Sequence, residues 1–371
     1  MSPTVSILLI GSLVAASCAL VGTFLVLRRM ALLGDAISHA VLPGIVLAFL
    51  ISGERSTLAM MIGAGVLGVI TVLLVETLNR TRRMASDASM GVVFPALFAV
   101  GVILVTRFAS SVDLDLDCVL YGEIAYAPWD TLVLGGRVLG PRGLWIGGFV
   151  LLIDLALVVG LFKELKLSTF DPGLAATLGF SPVLLHYLLM SAVSVTVVGS
   201  FEQVGAILVV AMLIVPPATA YLLTDRLDWM LGLSVGLGVA AAIGGYGLAR
   251  WWDSSIAGAI AVAAGAQFVL ALLLSPRHGI LARQWNRRKL GLKLAGQLLM
   301  MHLDHPRPVE AHGALRRRFG WSERRLRRVS ADLARAGWVR EGGGGLVLTA
   351  EGRGIVRDAG GAQLAHRSEE V

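Results

Sequence analysis

Two side chains that can bind a metal ion lie close together near the start of the chain, in residues 34–44. Asp35 precedes His39 by four residues. Residues four apart share one face of a helix, and a carboxylate with an imidazole suits manganese, iron(II) or zinc. The spacing indicates a divalent-cation site. The alternative is structural: His39 hydrogen-bonds Asp35 and so joins two helices.

A second group of acidic residues lies in the long segment 107–142. Its members are Asp113, Asp115, Asp117 and Glu123. Alternating carboxylates can concentrate cations at an entrance, although a solvated acidic face would have the same composition. A calcium loop fits poorly, because the glycine expected at the sixth position is absent.

A third segment, residues 163–182, predicts a short helix between two long apolar runs. Asp171 is placed to cap it, Pro172 occupies its first position and Gly179 ends it. An amphipathic helix of this kind is suited to docking on a partner, and the alternative is a plain surface turn and helix. The candidate docking residues are Phe170, Asp171, Pro172, Leu174, Thr177, Leu178 and Gly179.

The composition of the whole chain identifies the setting of these residues. Of 371 residues, 56% are hydrophobic and only 15% are charged, whereas soluble domains carry about 25% charged residues. Two cysteines exclude a disulfide scaffold or a thiolate zinc module. No phosphate-loop pattern is present, so the chain has no recognisable ATPase of its own and is not expected to be an enzyme.

Nine apolar runs are long enough to cross a hydrocarbon core of about 30 Å. They cover approximately residues 5–27, 36–52, 57–77, 89–106, 143–162, 183–200, 204–223, 229–249 and 254–274. The predicted fold is therefore an all-α polytopic membrane protein. Charge within lipid is costly and usually functional, which favours a role for Asp35 and His39.

The distribution of Lys and Arg predicts the orientation. With the N-terminus outside, the inside loops and the flank after the last run hold thirteen basic residues and the outside loops hold five. This excess places the C-terminus in the cytoplasm.

The C-terminal part of the chain differs from the rest in net charge and in the spacing of its apolar residues. Residues 1–275 carry a net charge of −3, and residues 277–371 carry +10. We therefore divide the chain into a transmembrane domain (1–276), a basic connector (277–291) and a soluble domain (292–371). In the last, three helical patterns followed by two short strands across a glycine turn indicate a small cytoplasmic winged helix-turn-helix domain.

The ordered motifs resemble those of a known family. Residues 34–44, 115–122, 170–179 and 204–220 are similar to the permease subunits of ATP-binding-cassette importers for manganese, zinc and iron. The resemblance covers about residues 5–275 and implies eight spans, against the nine apolar runs. It implies that Asp35 and His39 lie on the ion path and that residues 170–179 form the coupling helix inserted into the ATPase.

The resemblance also implies the partners and the location. An ATP-binding-cassette ATPase subunit, a second permease (a copy or a paralogue) and an extracytoplasmic metal-binding protein would assemble in the bacterial plasma membrane. The cargo would be Mn²⁺, Zn²⁺ or Fe²⁺, with no permanently bound cofactor. Manganese is favoured because the long, tailed form resembles manganese permeases.

The basic tail resembles the winged-helix part of metal-dependent repressors. Arg324, Arg325, Arg327 and Arg328 would lie on its third helix, where they could contact phosphate. A domain tethered to a membrane is poorly placed to bind DNA. The alternatives are contact with anionic membrane lipid, contact with the ATPase, or a role in assembly. His302, His305 and His312 could form a small metal sensor or simply a polar surface.

Two other functions fit parts of this pattern. A metal transporter driven by an ion gradient would need no docking helix. A membrane-bound, metal-responsive regulator would use the tail as its output and the spans as its sensor.

Overall fold

The computed structural model describes residues 2–53, 57–81, 86–108, 124–134, 137–276, 279–304, 312–342 and 345–357. The chain forms two compact units, Met1–Gly279 and Ile280–Val371. Each unit has its own hydrophobic core, and we describe each separately.

The first unit is a helical bundle with one small hairpin. Its elements are α1 (Pro3–Leu27), α2 (Leu33–Ala40), α3 (Leu42–Ser52), α4 (Thr57–Arg80), α5 (Ser86–Phe108), β1 (Thr131–Leu134), β2 (Arg137–Pro141), α6 (Arg142–Gly160), α7 (Phe162–Phe170), α8 (Pro172–Thr177), α9 (Pro182–Val204), α10 (Ala206–Leu223), α11 (Leu227–Trp252) and α12 (Ile256–Leu274).

Within these described ranges, nine stretches are long and apolar enough to cross a membrane. The prediction of nine candidate spans is confirmed on length and composition, and a mostly helical membrane protein is the observed fold. Helices are the expected solution, because every backbone polar group in lipid must be paired internally. Polar residues start several of them: the hydroxyls of Ser2, Ser181 and Ser255 accept hydrogen bonds from the first turns of α1, α9 and α12.

The second span differs from a simple helix. It is divided into α2 and α3, which meet at Val41. Pro43 lies in the first turn of α3, and proline lacks the N–H that a continuous helix would require and disfavours helical geometry in the residue before it. The chain therefore crosses this region as two short helices, the first of which carries Asp35.

Helix α1 lies in the interior of the first unit and packs against α6, α9, α10 and α11. Its contact with α10 is very close at Gly22, where an added Cβ would lie 2.0 Å from the backbone oxygen of Leu213. Such close approach of small residues is how helices associate in lipid, where the hydrophobic effect does not drive them together.

Polar contacts define which helix ends meet. At one end, Arg142 at the start of α6 lies 3.9 Å from Glu202 near the end of α9, and Tyr246 of α11 hydrogen-bonds Thr4 of α1. At the other end, Ser275 after α12 donates to the carbonyl of Leu222 in α10. These pairs agree with spans that alternate in direction.

The described part of the second unit contains three helices, a two-stranded antiparallel ribbon and a further helical stretch after the ribbon. The elements are α13 (Ile280–Leu303), α14 (His312–Phe319), α15 (Glu323–Arg335), β3 (Val339–Gly342) and β4 (Gly345–Leu348), followed by helix over residues 350–357. Helix α13 begins well before Leu292, so much of residues 277–291 continues directly into the first helix of this unit. Its core joins residues from every element, including Leu299, Leu315, Leu333 and Leu346.

Candidate ion pathway and coupling segment

Asp35 lies in the first turn of α2, a helix whose other face is buried. Leu33, Ala36, Ile37 and Ala40 are fully or nearly fully buried, whereas Asp35 is half-buried. Helix α2 packs against α4, α5, α9 and α10, so the helix that carries Asp35 lies within the bundle. His39 lies on the same helix four residues later, as its spacing predicts, and its side chain is outside the described residues.

Helices α3 and α4 meet at one close backbone contact. A Cβ added to Gly44 would lie 2.4 Å from the carbonyl oxygen of Gly63, and a Cβ added to Gly63 would lie 2.4 Å from that of Gly44. Only two glycines allow α3 and α4 to touch in this way. Gly44 closes the 34–44 motif, so this part of the motif has a structural reason of its own.

The short helix predicted in residues 163–182 is present as α8. The Asp171 carboxylate accepts a hydrogen bond from the Leu174 N–H at 2.9 Å, and Pro172 is the first helical residue. Thr177 bonds back to the Leu174 carbonyl. Gly179 has φ +90°, a conformation that favours glycine and stops the helix.

Helix α8 and the residues on either side of it expose most of their apolar side chains. Ala175 is fully buried, whereas Phe170 and Leu178 are each 61% exposed and Leu174 and Phe180 are also exposed. A second helix, α7, precedes α8 and packs against α6 and α9. The segment is therefore a rigid, apolar projection at the end of the bundle where α6 finishes and α9 begins.

The acidic cluster predicted as a cation entrance, Asp113, Asp115, Asp117 and Glu123, lies outside the described residues. The segment that follows it forms the hairpin of β1 and β2, which the sequence analysis missed. The available signal was Gly135-Gly136, a turn-forming pair between Val133 and Val138.

A buried carboxylate was also missed. Asp154 in α6 is fully buried and accepts a hydrogen bond from the Thr196 hydroxyl of α9 at 2.8 Å. Its Oδ1 has no hydrogen-bond partner among the described residues. The signal was a single charge within an otherwise apolar span, which marks a candidate functional position.

In the second unit, Arg324, Arg325, Arg327 and Arg328 are all exposed on α15. Arg327 pairs with Glu323, and the Arg325 guanidinium lies 5.4 Å from the Trp321 ring centroid. His302 packs edge-on against Phe319, whereas the side chains of His305 and His312 are outside the described residues. Within the described part of the chain, no three His, Cys, Asp or Glu side chains are grouped as a metal site.

Comparison with known proteins places this architecture in a class. Residues 3–275 match the ABC 3 transport family, which covers the whole helical bundle, and the chain belongs to that family. Helices α1 to α12 form the part of the chain that this match covers, with α8 between the fifth and sixth candidate spans.

Individual relatives cover the chain to different extents. It is 46% identical over 286 residues to the manganese transport system membrane protein MntD of Bacillus subtilis, which spans 77% of this chain and 97% of that protein. It is 47% identical over 355 residues to the zinc transport system membrane protein TroD of Treponema pallidum, which spans 94% of this chain and 96% of that protein. The second match therefore extends into the tail.

A solved structure has a similar fold. PsaBC from Streptococcus pneumoniae in complex with Fab aligns with a TM-score of 0.62 and 30% sequence identity, over 75% of this chain and 94% of that one.

Proposed function

We propose that this chain is the transmembrane permease subunit of an ATP-driven importer of divalent metal ions, working by alternating access. The observation that carries the proposal is α8, a capped helix with exposed apolar side chains, within a bundle that belongs to a transport family. A separate partner subunit would hydrolyse ATP and move α8. The chain itself performs no chemistry.

The orientation follows from charge. The end of the bundle that carries α8 also carries Arg28, Lys163, Lys166 and Arg226, and basic loops face the cytoplasm. We assign this end to the cytoplasmic side of the bacterial plasma membrane, where ATP is available. The C-terminus then lies in the cytoplasm as well, because four candidate spans, an even number, follow α8.

The cargo would be bound and passed on by Asp35 and His39. A carboxylate and an imidazole suit Mn²⁺, Fe²⁺ and Zn²⁺, and the half-buried position of Asp35 within the bundle supports a place on the path. We favour manganese among the three. Relatives are named for manganese, for zinc and for iron, so the choice requires measurement.

The assembly would contain two permease chains, identical or paralogous, with the ATPase on α8. An extracytoplasmic metal-binding protein would deliver the cargo on the opposite side. There, the acidic residues Asp113, Asp115, Asp117 and Glu123 would attract cations to the entrance.

For the tail, we propose a cytoplasmic winged-helix domain that modulates transport. The order of its elements, three helices and then a ribbon, supports this assignment. The exposed Arg324 and Arg328 suit a phosphate-bearing or acidic surface, and an anionic lipid or the ATPase is nearer to a tethered domain than DNA is. Residues 277–291 would connect it to the last span.

The decisive experiment is uptake and ATP hydrolysis by the complex of this chain with its ATPase in vesicles. Metal delivered by the extracytoplasmic protein should accumulate only with ATP, with Mn²⁺ preferred over Zn²⁺ and Fe²⁺. Accumulation driven by an ion gradient without ATP would contradict the proposal and favour a secondary transporter.

A further inference from the structure

Arg28, the first residue after α1, contacts two other helices at the end of the bundle that carries α8. Its Nη2 donates to Ser168 Oγ at 2.9 Å and its Nε donates to Thr169 Oγ1 at 3.1 Å, both on α7. Its Nη1 lies 3.4 Å from Nδ1 of His186 on α9. One rigid guanidinium therefore links α1 to two separate helices.

The contacts continue through His186 to a fourth helix. A guanidinium can only donate, so Nδ1 of His186 is the acceptor and the ring proton is on Nε2. Nε2 lies 3.7 Å from Oε2 of Glu76, near the end of α4, which is an electrostatic distance and too long for a hydrogen bond. The side chains of His186 and Glu76 are only 16% and 19% exposed, which shields this interaction from solvent. We call Arg28, Ser168, Thr169, His186 and Glu76 the Arg28 joint.

Arg28, the central residue of the joint, is difficult to separate from its hydrogen-bond acceptors. Burial lowers the pKa of Arg28, yet arginine stays charged in proteins. Separating a half-buried charge from its acceptors is costly, so Arg28 and its partners Ser168, Thr169 and His186 should move together. Lysine could keep the charge, but a point charge cannot make three directed bonds in the plane of a guanidinium.

The joint lies directly beside the proposed coupling helix. Thr169 is in the last turn of α7, and Asp171, the next residue but one, is the cap of α8. On the other side, Glu76 belongs to α4, which packs against both α2 and α3. A continuous set of contacts thus runs from α8 through Arg28 and His186 to the helix that supports Asp35.

We propose that Arg28 is a positioning residue for transport: the Arg28 joint transmits movement of α8 to α1, α9 and α4, and through α4 to the ion pathway. The inference rests on the proposed function, because it takes α8 to be the segment on which the ATPase acts. It assigns the joint no contact with the metal.

The test separates coupling from folding by measuring the ratio of metal imported to ATP hydrolysed in the reconstituted complex. The double variant Ser168→Ala/Thr169→Val removes both α7 acceptors and leaves Arg28 and His186 in place. We expect the ratio to fall about fivefold or more, the lower end of usual coupling between sites, while ATPase association is retained. Arg28→Lys should lower it too.

Two control variants change the same region without removing a contact of Arg28. Arg29→Gln removes an exposed positive charge at the neighbouring position and should leave the ratio unchanged. Thr169→Ser keeps the acceptor hydroxyl and should also keep the ratio. If the double variant does not assemble, Arg28→Lys decides the question by the same ratio.

The outcomes distinguish this proposal from the one on which it rests. A normal ratio in an assembled double variant or in Arg28→Lys would overturn the joint alone. So would a parallel loss of uptake and hydrolysis, which indicates a structural role. A wild-type complex without ATP-dependent uptake would overturn the proposed function, and the joint with it.

Discussion

At the scale of single residues, Asp35 combines a charge with a place inside the bundle. Its helix neighbours are buried on the side that packs against α4, α5, α9 and α10. A carboxylate held in such surroundings is costly unless it binds a cation or a polar partner. This cost explains why we assign it to transport rather than to solubility.

We predict that Asp35→Ala or His39→Ala abolishes metal uptake while the protein still reaches the membrane and binds its ATPase. Initial uptake rates at matched membrane abundance measure this effect. Asp228→Ala is the control, because Asp228 is an exposed carboxylate whose pairing with Arg226 spans 3.9 Å at the surface. Wild-type uptake by assembled Asp35 and His39 variants would remove both residues from the ion path.

A second prediction concerns packing between α3 and α4. Gly63→Ala should destabilise the bundle by about 1–3 kcal/mol, the usual cost of overpacking, because its Cβ would meet the backbone of Gly44. Gly65→Ala, two residues along the same helix, has nothing within 4 Å of its added Cβ and should be neutral. Thermal unfolding in detergent compares the two, and equal midpoints would contradict the predicted contact.

The contacts of Arg28 cannot be predicted from the sequence. Its partners lie 140, 141 and 158 residues away, so neither spacing nor periodicity relates them. That Asp35 and His39 lie on one helix is a local relation, which four-residue spacing predicts and the structure shows. Their role as a metal-binding pair stays a prediction.

At the scale of elements, α8 has the features of a docking helix. It is capped at both ends by its own sequence, and it is attached to α7, which buries Leu165 and Ser168. Its apolar side chains are therefore presented by a fixed backbone, which lowers the entropy lost when a partner binds.

We predict that Leu174→Ser/Leu178→Ser weakens association with the ATPase without lowering the abundance of the permease. Both side chains are exposed, so their loss removes contacts with a partner rather than core packing. Co-purification of the two subunits measures this effect. Val133→Ser is the control, since Val133 is equally apolar and exposed, in the hairpin at the opposite end. Undiminished association of the double variant would show that α8 is not the docking site.

The elements differ in how well the sequence predicts them. The nine apolar runs and α8 follow from length, capping and turn residues, which act within a few positions of the chain. The division of the second span was missed because apolar composition continues through Pro43, and the hairpin of β1 and β2 was missed because each strand is very short. The end points of the runs also moved by several residues, as helix ends are set by packing as well as by composition.

At the scale of the whole molecule, the two units differ in charge and have separate cores. The charge changes sign just before Ile280, where the second unit begins. Helix α13 is continuous from Ile280 to Leu303, and its second half carries the core residues Ala295, Leu299 and Met300, so a cut just after these residues would expose them. The sequence could predict where the net charge changes sign. It could not predict this continuous helix, because the first half of the helix is polar and basic.

We predict that truncation after Gly279 leaves ATP-dependent uptake intact and removes its response to high internal metal. The truncated chain retains all nine candidate spans, Asp35, His39, α8 and Arg28. Initial rates of full-length and truncated complexes, at matched abundance and over a range of internal metal, measure both properties. Complete loss of uptake despite normal assembly would instead make the tail part of the transport mechanism.

The order of the two units along the chain also has a consequence during synthesis. Proteins are made from the N-terminus and their domains fold as they emerge, so every candidate span has left the ribosome before residues 280–371 are complete. A partner that recognises the folded tail can therefore bind only to a chain whose membrane part has already been made. Recruitment through the tail would select finished chains over nascent ones.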